Sequence, residues 1–345
     1  MGTKTLVISA MLFSFYLNAQ TKFESLADRE EIMELLQKYK VPAMGLGIIE
    51  NGKLIAVNAY GEIKKDVTAP YNTIFDVASL TKSVVTMTTL QLVENGDWNL
   101  DKPLYSYWVD PDIINDSLHK KLTTRHVLTH TSGFNNWRWM DATGKLQFHF
   151  EPGKKFKYSG EGFEYLRKAL ESKFKISLQR LSDSLLFRPL GMKDSRHAWD
   201  ENVDESRFAI GHDTLKNSYK LPKEKKPNGA DNVLTTIEDF GIFGINVFEK
   251  LNTTKGAYQE MVKPQVMVRE KIAMGLGWFI FPDLPNDEYA LYNAGGDSGV
   301  HTVVVLLPKS QKGVIIFTNG DNGYLLYKEL LPKLLEVGAE IINRI

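Results

Sequence analysis

The chain has no cysteine among its 345 residues. This absence excludes disulfide bonds, thiolate catalysis, cysteine-ligated zinc and a lipid-modified cysteine anchor. It also lacks a net charge, because 42 lysines and arginines balance 42 aspartates and glutamates, so no basic excess indicates nucleic-acid binding. With 43% hydrophobic and 24% charged residues, the composition is typical of a globular protein with a large core.

Long hydrophobic runs are also missing from the chain beyond its N-terminal segment. In that later part, no segment is both apolar enough and long enough to cross a membrane. At the start of the chain, Lys4 precedes a short apolar run that is followed by the small residue Ala19. This pattern predicts an export signal over residues 1–19 and a periplasmic or secreted protein with no stable membrane span after signal removal. An uncleaved anchor and a buried first helix are the alternatives.

Strand patterns at the two ends of the chain bracket a helical middle. Residues 25–40 read as an amphipathic helix, and Asn51-Gly52 between two β-type runs predicts a hairpin. Strand patterns return near the C-terminus, before a closing helix over 325–342. We therefore predict an α+β fold in which one antiparallel sheet, assembled from both termini, carries an inserted all-helical lobe, with a ligand cleft between the lobes. The predicted single domain covers 20–345, with an α/β lobe over about 20–78 and 271–345 and a helical lobe over about 79–270.

A candidate nucleophile lies where the helical region begins. Ser79 and Lys82 are three residues apart, so a helix would place them on one face, where a lysine can assist a serine hydroxyl. The same Ser-x-x-Lys pattern recurs at 117–120 and 172–175, and taken alone it is weak. An apolar run before position 79 and a strongly apolar helix after it favour this copy, and we expect the other two to lie on the surface.

Several further stretches follow Ser79-Leu80-Thr81-Lys82 in a fixed order. Together they resemble the serine β-lactamase and penicillin-binding-protein superfamily, in particular its class C and esterase-like branch, from about Val41 to the end of the chain. The resemblance implies a β-lactamase/transpeptidase-like fold and a hydrolase that works through an acyl-enzyme without a cofactor or metal. The stretches are Leu128-Thr129-His130-Thr131-Ser132-Gly133-Phe134, the segment 151–159, Pro189-Leu190-Gly191-Met192, the segment 235–240 and Gly275-Leu276-Gly277-Trp278.

The resemblance also implies roles for individual residues. Ser79 is then the nucleophile, Lys82 the partner that takes its proton or tunes its base, and Tyr158 the residue that passes a proton to the leaving group. The backbone amides of Ser79 and Gly296 correspond to the oxyanion hole, whose preset donors are among the largest catalytic contributions. His130 matches a position that is structural in the family.

Two motifs depart from the family pattern at positions predicted to bind substrate. Gly160 stands where Tyr-x-Asn has an asparagine that would hold a substrate amide. Asn293, Ala294 and Gly295 replace Lys-Thr-Gly or His-x-Gly, so the cation and hydroxyl that help bind a substrate carboxylate are lost. Losing a charge-assisted contact costs about 1.5–3 kcal/mol. We therefore expect ester, amide or peptide substrates rather than β-lactams.

Other interpretations of the sequence stay open. Penicillin binding, β-lactamase activity or D-Ala-D-Ala carboxypeptidase activity is the nearest alternative. A catalytically weak binding or sensing module on the same fold belongs to another class. The expected partner is a small molecule or peptide, and the oligomeric state is undetermined.

Four smaller signals have competing explanations. Gly296-Asp297-Ser298-Gly299 mimics a trypsin-like serine motif, but the helical middle argues against that fold. His126 and His130 have a metal-ligand spacing without the glutamate of a zincin motif. His301 could approach the cleft or face its neighbours, and 137–139 could form a substrate wall or a surface cluster.

Overall fold

The computed structural model describes residues 28–221, 223–252 and 255–345. The predicted export signal and the first residues of the predicted helix 25–40 lie outside these ranges. Helix α1 covers Arg29–Tyr39, and its N-cap Asp28 accepts a hydrogen bond from the Glu30 backbone nitrogen at 3.0 Å. The buried face of α1 consists of Ile32, Leu35 and Leu36.

The chain forms one central antiparallel sheet and one small two-stranded sheet. The central sheet has the strand order β3-β2-β1-β11-β10-β9-β8-β7-β6, so β1 from the N-terminal side pairs directly with β11 from the C-terminal side. The predicted α+β architecture, with a sheet assembled from both ends of the chain, is therefore confirmed. The strands are β1 Ala43–Glu50, β2 Lys53–Lys64, β3 Val67–Thr68, β4 Phe75–Asp76, β5 Leu234–Thr235, β6 Val266–Arg269, β7 Ile272–Met274, β8 Phe279–Leu284, β9 Glu288–Asp297, β10 Val300–Leu307 and β11 Lys312–Thr318.

The predicted β1–β2 hairpin is confirmed at Asn51-Gly52. Both residues have positive φ, 52° and 69°, and Glu50 pairs with Lys53 across the turn. A two-residue turn with two positive φ angles matches the right-handed twist of its strands, which is why Asn-Gly is favoured there.

The helices lie on both faces of the sheet. Along β10, Val304 and Leu306 belong to the core beneath the helical middle, whereas Val303 and Val305 belong to a second core under the terminal helices. Side chains along a strand alternate between faces, so odd and even positions of β10 serve different cores. After α1 the helices are α2 Thr81–Glu94, α3 Thr124–Leu128, α4 Gly160–Phe174, α5 Leu178–Ser182, α6 Arg188–Leu190, α7 Ile237–Leu251, α8 Ala257–Met261, α9 Gly323–Leu334 and α10 Gly338–Arg344.

The prediction of one continuous C-terminal helix over 325–342 is wrong, because two separate helices cover this segment. Leu335 is extended, with φ −128° and ψ 134°, and separates α9 from α10. Pro332 lies three residues earlier and lacks a backbone N–H, which weakens the last turn of α9. In the described ranges, none of the helices is long and apolar enough to span a membrane.

Candidate active site

The candidate nucleophile lies in a tight turn between β4 and α2. A 3₁₀ turn over Ala78–Leu80 follows β4, and the Ala78 backbone nitrogen donates to Asp76 Oδ1 at 2.8 Å. Ala78 has φ +46°, a left-handed conformation that is costly for a residue with a side chain. The Asp76 contact holds this strained turn, and the turn presents a half-buried Ser79 at the start of α2.

Lys82 lies directly beside Ser79. Its Nζ donates to Ser79 Oγ at 2.9 Å and to the Ala230 carbonyl oxygen at 2.9 Å. The residue is only 3% exposed. A buried amine normally needs such polar partners, so the geometry directs its nitrogen at the serine hydroxyl rather than at solvent.

Tyr158 approaches the same amine from the helical lobe. Lys82 Nζ lies 4.9 Å from the centre of the Tyr158 ring. The ring stacks on His130 with centroids 4.3 Å apart and runs nearly parallel to Phe279 at 6.5 Å. Within the ranges that the structure describes, the phenol hydroxyl makes no hydrogen bond. The structure thus brings the three predicted catalytic residues together around one nitrogen.

His130 holds the backbone on both sides of Tyr158. Its carbonyl oxygen accepts from the Lys157 backbone nitrogen at 2.8 Å, and its Nδ1 accepts from the Ser159 backbone nitrogen at 3.1 Å. Burial, together with the positive charge of Lys82, holds the pKa of His130 well below its usual range. A neutral imidazole therefore supports the tyrosine.

The metal-like spacing of His126 and His130 has a structural explanation. His126 Nδ1 accepts from the Thr123 backbone nitrogen at 3.3 Å and caps helix α3. Across residues 28–221, 223–252 and 255–345, no group of three or more His, Cys, Asp or Glu side chains is arranged to hold a metal ion.

At Gly295, strand β9 passes very close to the turn that carries the candidate nucleophile. A Cβ added there would press against the Val77 carbonyl oxygen and lie 2.5 Å from Thr302 Oγ1 and 3.0 Å from the Ser79 backbone nitrogen. Thr302 Oγ1 itself donates to the Val77 carbonyl at 3.0 Å and ties β10 to the turn. Only glycine fits this approach, which sets Gly296, the second predicted oxyanion donor, one residue beyond the contact.

The positions that depart from the family motifs have other neighbours. Asn293 is buried, and its Nδ2 donates to the Gly277 carbonyl oxygen at 2.9 Å. Ala294 packs on the opposite face of the sheet, against the second core. At Gly160, the Trp137 ring lies 2.9–3.0 Å from where a Cβ would stand. The role of these positions in substrate binding stays a prediction.

Sequence reasoning missed two groups beside the candidate catalytic residues. Ala230 supplies the second acceptor of Lys82, and Asp231 follows it. Burial raises the pKa of Asp231, the charge of Asp297 adds to this rise, and Lys82 opposes it. Burial and the Asp231 charge raise the pKa of Asp76 to about 8. The turn-forming residues 228–232 were the available signal, but their proximity to Lys82 required the fold.

Replacing Asp76 with asparagine is expected to change the pH dependence of stability. The pKa of Asp76 is about 8 in the folded protein, against an ordinary value of 3.8. Between pH 3.8 and pH 8 the Asp76 carboxyl therefore keeps its proton in the folded state but loses it in the unfolded state. Wild-type unfolding free energy should therefore fall relative to Asp76→Asn as the pH rises from 4 to 8, by at most about 1.4 kcal/mol per pH unit. Urea unfolding of both proteins at pH 5 and pH 8 measures this difference, and parallel pH profiles would contradict it.

Two further sequence signals, His301 and the turn at Ser298, have surroundings that differ from a catalytic site. His301 lies on the opposite face of the sheet from Asn293, with its ring 5.5 Å from Tyr324 of α9, so it faces neighbours rather than the cleft. Burial lowers the pKa of its imidazole. Ser298 is exposed in the β9–β10 turn, and among the described residues no histidine bonds to its hydroxyl. The helical middle and this exposed turn exclude a trypsin-like site.

Comparison with protein families gives a match over most of the chain. A family model described as Beta-lactamase matches residues 29–338. The relative Protein flp of Staphylococcus aureus strain MRSA252 is 24% identical over 334 residues, which cover 89% of this chain and 64% of the relative. Penicillin-binding protein 4* of Bacillus subtilis strain 168 is 22% identical over 308 residues, which cover 79% of this chain and 67% of the relative. The chain thus spans less than two thirds of the length of the first of these relatives.

Solved structures share the fold at low sequence identity. The octameric penicillin-binding protein homologue from Pyrococcus abyssi has a TM-score of 0.72 at 19% identity, covering 86% of this chain and 74% of its own. The D-alanine carboxypeptidase AmpC from Burkholderia cenocepacia has a TM-score of 0.74 at 18% identity, covering 91% of this chain and 99% of its own. The predicted superfamily and its fold are confirmed. Because the family model matches residues 29–338, nearly all of the described protein, this chain belongs to the Beta-lactamase family.

Proposed function

We propose that this protein is an exported serine hydrolase that cleaves ester, amide or peptide bonds through an acyl-enzyme on Ser79. Membership of the Beta-lactamase family supports serine hydrolase chemistry in general. The observation that carries the finer proposal is the 2.9 Å contact between Lys82 Nζ and Ser79 Oγ in a buried setting. Export to the periplasm or medium rests on the N-terminal sequence pattern over 1–19.

The proposed reaction has two steps. In acylation, Ser79 Oγ attacks the substrate carbonyl while its proton passes to the amine form of Lys82, and Tyr158 gives its hydroxyl proton to the leaving group. Lys82 returns a proton to Tyr158. In deacylation, water attacks the acyl carbon and gives one proton to the same amine–phenol pair. The pair returns a proton to Ser79 Oγ as the bond between that oxygen and the acyl carbon breaks, so the acid product leaves and the serine hydroxyl is restored. The backbone amides of Ser79 and Gly296 stabilise the oxyanion in both steps.

Two contacts support a substrate other than a β-lactam. The Asn293 amide nitrogen is engaged by the Gly277 carbonyl, and Asn293 carries no charge to attract a carboxylate. At Gly160, Trp137 takes the space where the family asparagine would begin. We therefore expect weak polar recognition of a substrate amide and carboxylate at these two positions.

A second candidate function is penicillin binding or D-Ala-D-Ala carboxypeptidase activity. The observation in its favour is the fold shared with a protein described as a D-alanine carboxypeptidase. Its relation to this chain is one of fold, at 18% identity. A third candidate function, which is not enzymatic, is a catalytically weak binding or sensing module on the same fold.

Intact-mass spectrometry after incubation with a fluorophosphonate, and separately with a penicillin, tests the proposal. We expect a fluorophosphonate adduct on the wild type and none on Ser79→Ala. Ser172→Ala is the matched control, because Ser172 belongs to a second Ser-x-x-Lys copy but donates its hydroxyl to the Tyr107 carbonyl at 2.8 Å. A stable penicillin adduct at Ser79 would favour the second candidate, and no adduct with either reagent would favour the binding module.

A further inference from the structure

The loop before Trp137 is attached to the start of helix α4 by three hydrogen bonds. Ser159 Oγ donates to the Asn135 carbonyl oxygen at 2.9 Å, and the Gly160 backbone nitrogen donates to Asn136 Oδ1 at 2.8 Å. The Glu161 backbone nitrogen donates to the Asn136 carbonyl oxygen at 2.8 Å. The first turn of α4 leaves its N–H groups without helical partners, and the loop satisfies two of them.

Arg138 anchors the other end of the same loop. Its backbone nitrogen donates to Glu161 Oε2 at 3.0 Å, and its guanidinium group contacts Glu161 Oε1 at 2.6 Å. The guanidinium also reaches Asp110 at 2.9 Å and Asp112 at 3.0 Å. Glu161 and Asp110 are buried, so this is a partly desolvated, charge-assisted network rather than a mobile surface pair. Trp137 therefore sits between two fixed ends.

The held tryptophan occupies the place that a longer side chain at position 160 would need. A Cβ on Gly160 would lie 2.9 Å from Trp137 Cη2 and 3.0 Å from Cζ2. Gly160 is two residues after Tyr158, whose ring lies 4.9 Å from Lys82 Nζ. A half-buried indole thus stands where the family motif has an amide, two residues along the chain from Tyr158. Trp139, by contrast, is 72% exposed, so the two tryptophans of this segment have different environments.

We propose that Trp137 is the specificity-determining wall of this site and selects esters and amides with an apolar acyl or aryl-acyl group. This inference rests on the proposed serine hydrolase function and names the substrate class of that same site. An indole face offers a large apolar area at fixed geometry, whereas an asparagine amide would offer a hydrogen bond. Each methylene group that packs on it should raise kcat/KM about fourfold. The hydrogen bonds of Asn136 and the ion pairs of Arg138 hold the Trp137 indole in position before substrate binds.

A chain-length series of p-nitrophenyl esters tests the wall, because the leaving group stays constant while the acyl group changes from acetate to butyrate to hexanoate. For the wild type, we expect kcat/KM to rise from acetate to hexanoate. In Trp137→Ala the hexanoate-to-acetate ratio should fall by about tenfold or more, and Trp137→Phe should retain most of it. Trp139→Ala is the matched control, since it removes the same side chain from an exposed neighbour, and it should keep the wild-type ratio.

Two results would contradict the proposed role of Trp137 in substrate selection. One is an unchanged ratio in Trp137→Ala, and the other is an equal loss for every ester, which would indicate only a structural role for the indole. Fluorophosphonate labelling separates this failure from that of the proposed function. If Ser79 is labelled in Trp137→Ala but the hexanoate-to-acetate ratio does not change, Trp137 does not select the acyl group and the proposed hydrolase function is retained. If the wild type is neither labelled nor active on any ester, the proposed serine hydrolase function is itself contradicted.

Discussion

Replacing Lys82 with alanine is expected to lower kcat for ester hydrolysis by about 10³- to 10⁴-fold. The reason is that Lys82 Nζ is the polar group within 2.9 Å of Ser79 Oγ, and its removal leaves the hydroxyl without an adjacent base. The Ala230 carbonyl loses its partner in the same change. Substrate binding should be less affected than turnover, because Lys82 is buried and directed at Ser79. Steady-state kinetics of the purified variant on a p-nitrophenyl ester measures the effect.

The control for this prediction comes from the same chain. Lys120 is the exposed lysine of the Ser-x-x-Lys copy at 117–120, so Lys120→Ala changes the same residue type without touching the site. Its turnover should equal that of the wild type. Circular dichroism must show that Lys82→Ala is folded, because burying unpaired polar groups is destabilising. A folded Lys82→Ala enzyme that keeps a tenth or more of wild-type kcat would refute the assignment.

Gly295→Ala is expected to reduce kcat about 10²- to 10³-fold, comparable to the loss of one oxyanion donor. The new Cβ would press on the Val77 carbonyl and lie 3.0 Å from the Ser79 backbone nitrogen, so β9 and the nucleophile turn must separate. A shift of this kind misplaces both predicted oxyanion amides relative to the serine hydroxyl. We also expect a loss of about 1–3 kcal/mol in unfolding free energy from overpacking. Kinetics and urea unfolding measure the two effects separately.

Gly296→Ala provides the comparison for this prediction. A Cβ at position 296 would lie 3.4 Å from the nearest atom of the His301 ring, which is close to ordinary contact. The backbone N–H that is proposed to hold the oxyanion is retained. Its loss in kcat should be at least tenfold smaller than that of Gly295→Ala. Equal losses for the two variants would show that the close approach at Gly295 has no special role.

Local features of the candidate site were predictable because they depend on residues near each other in the chain. The three-residue spacing of Ser79 and Lys82 needs only helical geometry to bring the side chains together. The Asn51-Gly52 hairpin needs only two positive φ angles between β-type runs. The order of motifs indicated the family, and the family indicated Tyr158. These inferences required no knowledge of the tertiary packing.

The neighbours that complete the site are distant in the sequence and had no such signal. Ala230 lies 148 residues from Lys82, and no local pattern predicts that its carbonyl oxygen accepts a hydrogen bond from Lys82 Nζ. The wrong prediction of one continuous terminal helix has a different origin, since the break at Leu335 follows Pro332 and its missing N–H. Here the apolar pattern continued through a segment that the backbone could not keep helical.

The sequence by itself determined the superfamily, the α+β order of elements, the spacing of the candidate nucleophile Ser79 from Lys82, and the departure of two positions from the polar residues of the family motifs. Only the tertiary structure decided what replaced those residues: Trp137 lies against Gly160, and the Asn293 amide bonds to the Gly277 carbonyl. It also decided that His301 faces α9 rather than the cleft, because strand register sets which face of the sheet a side chain occupies. Periodicity and turn chemistry are local properties of a chain, whereas register, burial and close approach arise only when distant segments pack together.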